Sequence, residues 1–178
     1  MNGIFAAFNP NGLNKNPFDK INLNNDEIKS LKNKNLIFLT SKNNGLSESG
    51  MFSDNRFEIL SNSRIDNKAK LIRENQLNDN LSNSELILNL YKKLKIEAFN
   101  KIFGTFSVVI FDKKLNEIQA FTDHLNLKPL FFSKHKSSLY LSSNLELLFE
   151  SGIKKNNFCE ETLLDILICG APRKNRTI

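Results

Sequence analysis

The chain has no tryptophan, only two cysteines, two histidines, four prolines and seven glycines in 178 residues. Cys159 and Cys169 form no CxxC pair and no metal-ligand spacing, and both fall in an apolar helical stretch. They read as buried free thiols, which excludes a disulfide-built secreted scaffold and a zinc site. No apolar run is long enough to cross a bilayer, and no basic region precedes an apolar one at the N-terminus. A soluble, cytoplasmic protein without a membrane partner is therefore expected. A glycine-rich phosphate loop is also missing. Arginine is scarce beside lysine, and the lysines are dispersed. The net charge of +6 is accordingly read as a solvated surface rather than a nucleic-acid face, which would need lysines clustered on one side.

What is present is an ordinary globular composition, 40% hydrophobic and 25% charged, with asparagine at roughly one residue in seven, well above usual frequencies. The pattern predicts a buried strand over Gly3–Phe8 ending in the turn former "NPNG", then a polar, Asn-rich loop with room for one short helix from about Leu13 to Asn33. Strands follow over Asn35–Thr40 and Arg56–Asn62, with "SKNNGLSESG" as the loop between them. A short helix starts near Lys68. Ser82 and Glu85 have the spacing of a capping box, and Leu86, Ile87, Leu90, Tyr91 and Leu94 continue at helical period. After one further turn, Gly104 interrupts the pattern. Strands are predicted over Thr105–Asp112 and Glu117–Asp123, then in "PLFF" and "SLYLSS", with "NLELLF" and "EETLLDILIC" as helices. Short hairpins with enclosed helices predict an α+β fold with antiparallel sheets.

Five stretches in order carry a resemblance. "GTFSVVIFD" (Gly104–Asp112), "TDHLNLKPLFF" (Thr122–Phe132) and "LYLSSNLELL" (Leu139–Leu148) are similar to G-M-F-A-F-A-L-W-D, R-D-x-x-G-x-K-P-L-Y-Y and a hairpin followed by A-S-E-x-K-A-L. "SNSELILNLY" (Ser82–Tyr91) is similar to S-D-x-E-x-x-L-x-L-Y, and "SNSRIDN" (Ser61–Asn67) to the strand end N-G-E-I-Y-N. "MNGIF" lies where M-C-G-I-F is expected. The chain thus resembles the class II glutamine amidotransferase domain of asparagine synthetase and asparagine-synthetase-like amide ligases. The resemblance implies the N-terminal nucleophile hydrolase fold, a four-layer α/β/β/α sandwich of two antiparallel sheets.

In active members of that family a cysteine behind the initiator methionine attacks the glutamine amide. Its own α-amine is the base, and an asparagine side chain with a backbone N–H forms the oxyanion hole. Carried onto this chain, the nucleophile position is Asn2, whose delocalised amide is not nucleophilic and whose bulk is expected to keep Met1 in place. The oxyanion asparagine falls on Asn62 and the following glycine on Ser63; Asn62 has a second reading as a plain turn former. The acidic residue that holds the substrate ammonium falls on Asn83. The carboxylate-gripping arginine has no counterpart in or just after "NLIFLT", and the R-H-R-G-P-D segment is replaced by Asn-rich sequence. Asp123 is expected to be structural. His124 is not read as a base, because no motif places a Ser or Cys nucleophile beside it. His135 reads as solvated, and Lys128-Pro129 as a strand entry.

The resemblance therefore implies an inactive amidotransferase domain over residues 1–152. It is followed over 153–178 by a helix and the start of a linker, since "GAPRKNRTI" is similar to G-x-x-P-x-x-R-T-I-F. The expected partner is an asparagine-synthetase-like ligase domain, in cis or in trans, with homodimerisation a further possibility. No cofactor is expected in this chain, because ATP and Mg would belong to the ligase domain with its S-G-G-x-D-S loop. Two alternatives stay open: a stand-alone binding module of the same fold, and an engineered Cys-to-Asn version that traps substrate.

Overall fold

The structure is a computed structural model that describes residues 3–13, 28–41, 47–150, 162, 164, 167 and 168. Its strands in chain order are β1 (Ile4–Phe8), β2 (Ile28–Lys32), β3 (Leu36–Ser41), β4 (Glu48–Ser53) and β5 (Phe57–Ile65). Three helices follow: α1 (Lys68–Asn75), α2 (Asn83–Leu94) and α3 (Glu97–Lys101). The chain then forms β6 (Gly104–Asp112), β7 (Glu117–Thr122), β8 (Phe131–His135), β9 (Ser138–Ser142) and α4 (Leu145–Glu150).

Two antiparallel sheets result, one in the order β2-β3-β1-β9-β8 and the other in the order β4-β5-β6-β7. Side chains alternate across each strand, so the two faces can be followed residue by residue. Ile4, Ala6 and Phe8 of β1 meet Leu60, Val109 and Phe111 of the other sheet in a core between the sheets. Phe5 and Ala7 face the opposite way, against Leu147 and Leu148 of α4. On the far side of the second sheet, Phe57, Ile59, Val108 and Ile110 pack against Leu86, Ile87 and Leu90 of α2. Helix, sheet, sheet and helix stack in four layers. Because both faces of β1 are covered, it reads as an unbroken apolar run instead of an alternating one.

Helix α2 starts where its capping box places it. The Ser82 backbone N–H donates to Glu85 Oε2 at 2.9 Å, and the Glu85 N–H donates to Ser82 Oγ at 3.3 Å. That start leaves Asn83 at the first helical position, beside β5. Gly104 opens β6 with φ +143, and a Cβ there would lie 1.9 Å from the Arg64 carbonyl oxygen. Only glycine fits that approach.

Two strands lie in segments expected to be loop. β2 sits inside the Asn-rich stretch, and β4 begins within "SKNNGLSESG". Both are edge strands. An edge strand needs few apolar residues and tolerates exposed lysines such as Lys29 and Lys32, so periodicity gives it little signal. Asn62 lies inside β5, paired with Ser49 and Ser107, which removes its reading as a turn former. Among the described residues no helix is long and apolar enough to cross a membrane. Cys159, Cys169, the 152/153 boundary and "GAPRKNRTI" lie outside the described residues, as does most of "EETLLDILIC".

Candidate functional site

Asn62 occupies the inner face of the second sheet, two residues along β5 from Leu60 of the inter-sheet core. Strand register sets it opposite Ser49 of β4 and Ser107 of β6, and Ser107 opposite Thr122 of β7. Directly paired residues share a face. A polar row therefore crosses the sheet where the apolar core ends.

A cation reaches this row from the loop after β7. Lys128 Nζ donates to Asn62 Oδ1 at 2.6 Å. An ammonium can only donate, so it fixes the amide with its oxygen toward Lys128 and its Nδ2 turned away. The loop is shaped by Asp123, which is 6% exposed. The Asp123 carboxylate accepts backbone N–H bonds from Phe106, Leu125, Leu127 and Lys128 at 3.0–3.2 Å. Burial pushes the Asp123 carboxyl up, but these four donors outweigh it and hold its pKa below the usual value. Burial lowers the Lys128 pKa, and the nearby Asp123 charge only partly opposes it. Asp123 is thus structural, as expected. His124 and His135 are exposed.

On the other face of β5, Ser63 and Asn83 meet. Asn83 Nδ2 donates to the Ser63 carbonyl at 3.2 Å, and the Asn83 backbone N–H donates to Glu48 Oε1 at 3.0 Å. Next to them the hydroxyls of Ser61 and Ser84 hydrogen-bond at 2.9 Å. The Ser63 hydroxyl is fully buried and has no hydrogen-bond partner among the described residues. The carboxamide of Asn83 thus folds back on the strand, and the carboxylate at this corner belongs to Glu48.

The start of β1 is pinned by Ser143. The Ile4 N–H donates to Ser143 Oγ at 2.9 Å, and the Ser143 N–H returns a bond to the Ile4 carbonyl at 3.0 Å. A Cβ on Gly3 would meet Ser143 Oγ at 2.5 Å. Asn2 lies outside the described residues. The structure thus places Asn62 and the Ser63–Asn83 pair at the same end of β5 but on opposite faces of the sheet. Arg56 is paired with Asp112, Arg64 with Asp66, and Arg73 bonds the Ala69 carbonyl. The three arginines among the described residues are therefore engaged elsewhere. Sequence reasoning missed the contributions of Lys128, Glu48, Ser107 and Ser143. Lys128 and Ser143 stand inside the motifs quoted above, but their contacts join positions 66 and 139 residues apart. No local period reports such pairs.

Two facing antiparallel sheets enclosed by helices define the sandwich of the N-terminal nucleophile hydrolases, with a β5 asparagine in the polar row that borders the inter-sheet core. A family model described as glutamine amidotransferase domain matches residues 39–150, and the chain belongs to that family. It is 30% identical over 125 residues to asparagine synthetase [glutamine-hydrolyzing] 2 of Bacillus subtilis, covering 68% of this chain and 17% of the relative. It is 24% identical over 101 residues to asparagine synthetase [glutamine-hydrolyzing] 3 of the same organism, covering 54% and 16%. The chain thus spans about a sixth of the length of these curated relatives. Among solved structures it is similar to the glutamine phosphoribosylpyrophosphate amidotransferase of B. subtilis, with TM-score 0.61 and 13% identity. That match covers 84% of this chain and 43% of the other. A structure of the allosteric regulatory enzyme of purine biosynthesis matches with TM-score 0.54 and 15% identity over 85% of this chain and 38% of the other. At these identities the structural matches speak for the fold. The chain is a class II glutamine amidotransferase domain related to asparagine synthetase.

Proposed function

We propose that this domain no longer hydrolyses glutamine and instead scaffolds or regulates an ATP-dependent amide ligase of asparagine-synthetase type, in cis or in trans. On this reading residues 1–152 are the domain and 153–178 lead toward the ligase, which holds ATP and Mg. The observation that carries the proposal is the state of position 83. The family's acidic residue would accept from a substrate ammonium; here an amide donates to the Ser63 carbonyl and is used up inside the protein. Asn2 at the nucleophile position and the engagement of all described arginines elsewhere support the same reading.

The test is ammonia release from L-glutamine by the chain with its own Asn2 and by Asn2→Cys. Neither is expected to release ammonia above the buffer rate. Turnover with Asn2 would overturn the proposal outright. Recovery by Asn2→Cys alone would show that the substrate anchors are intact and supplied by other residues.

A further inference from the structure

The cation beside Asn62 lacks something its neighbours have. The other partly buried lysines that meet acidic groups, Lys92 and Lys113, pair with Asp54 and Glu58. Lys128 forms no ion pair with any described carboxylate, and its hydrogen-bond acceptor is the neutral Asn62 amide. Asp123, the nearest acid in its loop, has its oxygens committed to four backbone N–H groups. An amide oxygen does not neutralise a desolvated ammonium.

One step along the same row, the Ser107 hydroxyl is fully buried and finds no hydrogen-bond partner among the described residues. Ser107 stands opposite Asn62 on the same face of the sheet. The hydroxyl also has no counterpart in the family text quoted above, where this place holds alanine. A cation without a direct ion pair, an unused hydroxyl and an amide whose Nδ2 is turned away from the lysine thus share one corner of the inter-sheet space. Three donors with a single positive charge match a planar monoanion with two acceptor oxygens better than a phosphate dianion.

We infer that Lys128, Asn62 and Ser107 form a subsite for the carboxylate of a small ligand held at the mouth of the inter-sheet space. One carboxylate oxygen takes the Lys128 ammonium; the other takes the Asn62 Nδ2 and the Ser107 hydroxyl. Nothing is bonded or cleaved. The inference deepens the preceding reading: a domain that no longer opens glutamine keeps a ligand-responsive pocket through which a ligase partner is regulated.

The experiment uses the full chain and three probes, acetate, glutarate and inorganic phosphate, with ligand-detected NMR titrations at neutral pH. Saturable binding of acetate and glutarate is expected, with phosphate weaker. Lys128→Met should weaken carboxylate binding by about tenfold or more, because a charge-assisted bond is lost. Ser107→Ala should weaken it by roughly threefold, the scale of one neutral hydrogen bond. Lys128→Arg should keep most of the affinity. Each variant is also melted, so that a loss of binding is scored only where the fold persists. Ser107→Ala removes an orphan hydroxyl and will fold even if Lys128→Met does not. Lack of saturable carboxylate binding, binding indifferent to Lys128→Met, or phosphate binding as tightly as glutarate would each overturn the subsite. Glutamine hydrolysis is read separately. Ammonia release with Asn2 in place would refute the inactive domain and leave the subsite standing; absent probe binding without hydrolysis would do the reverse.

Discussion

Replacing Asn83 by the acid found at this place in the family text is predicted to destabilise the domain. Asn83 is 7% exposed, donates through Nδ2 to the Ser63 carbonyl, and sits against Glu48. In Asn83→Asp the ionised side chain cannot donate, which leaves a buried carbonyl short of a partner at a cost of about 1–2 kcal/mol. The new carboxylate is also set near Glu48, and two such charges at a separation of about 5 Å would repel by about 3 kcal/mol at an effective dielectric near 20. The N-terminus of α2 offsets some of this, by up to about 1 kcal/mol. The net loss at pH 7 is about 3–5 kcal/mol, which for a domain of this size lowers Tm by about 6–20 °C. The introduced carboxyl has a folded pKa raised by burial and by Glu48. The penalty is therefore full above that folded value and disappears as pH falls below the unfolded value. Melting curves for both proteins at neutral and mildly acidic pH, with Glu48→Gln alone and in the Asn83→Asp background, make a complete cycle. Glu48→Gln should recover more than half of the loss. A variant as stable as the parent at pH 7, or a loss that Glu48→Gln does not touch, would refute the geometry assigned to this corner.

Two further substitutions test the frame around the site. Gly104→Ala places a Cβ against the Arg64 carbonyl at a positive φ, and should cost about 3 kcal/mol or more in urea denaturation. Asp123→Asn keeps the size of the group that organises the Lys128 loop but weakens its acceptance of four N–H donors, costing about 2–4 kcal/mol at pH 7. Its backbone N–H donors hold the folded pKa of Asp123 below the ordinary carboxylate value. Its contribution is therefore complete above the unfolded value and is lost as pH falls through the lower folded value, so Asp123→Asn should flatten the acid end of the Tm–pH curve.

The elements legible in the sequence are those with something to bury. Ile4–Phe8, Gly104–Asp112 and the capped α2 each present apolar residues at a period their neighbours demand, and all three are where the pattern predicts them. β2 and β4 escaped because an edge strand meets only one neighbour, and residues such as Lys29, Ser30 and Gly50 satisfy that demand through backbone alone. Site positions divide in the same way. Asn62, Ser63 and Asn83 are found because motif order carries them onto one end of β5. Lys128, Glu48 and Ser107 are not, because their roles come from register between strands and from a loop folded by Asp123. That information exists only once the sheets are paired.

On the proposed reading, the corner around β5 makes a single substitution a poor route to glutamine hydrolysis. Asn83 and Ser63 are fitted to each other: the amide satisfies the Ser63 carbonyl, and Glu48 satisfies the exposed first N–H of α2. Restoring an acid at 83 breaks the first bond and sets a second negative charge against Glu48. The Ser63 hydroxyl, buried without a partner among the described residues, already costs about 1–3 kcal/mol. Removing it by glycine relieves that cost but adds about 0.5–1 kcal/mol of backbone entropy in mid-strand. On the proposed reading the step at 83 is thus uphill while the step at 63 is neutral to favourable, and Asn2→Cys by itself changes neither residue. On that reading the arrangement at 63 and 83, and not the residue at position 2 alone, is what Asn2→Cys has to overcome.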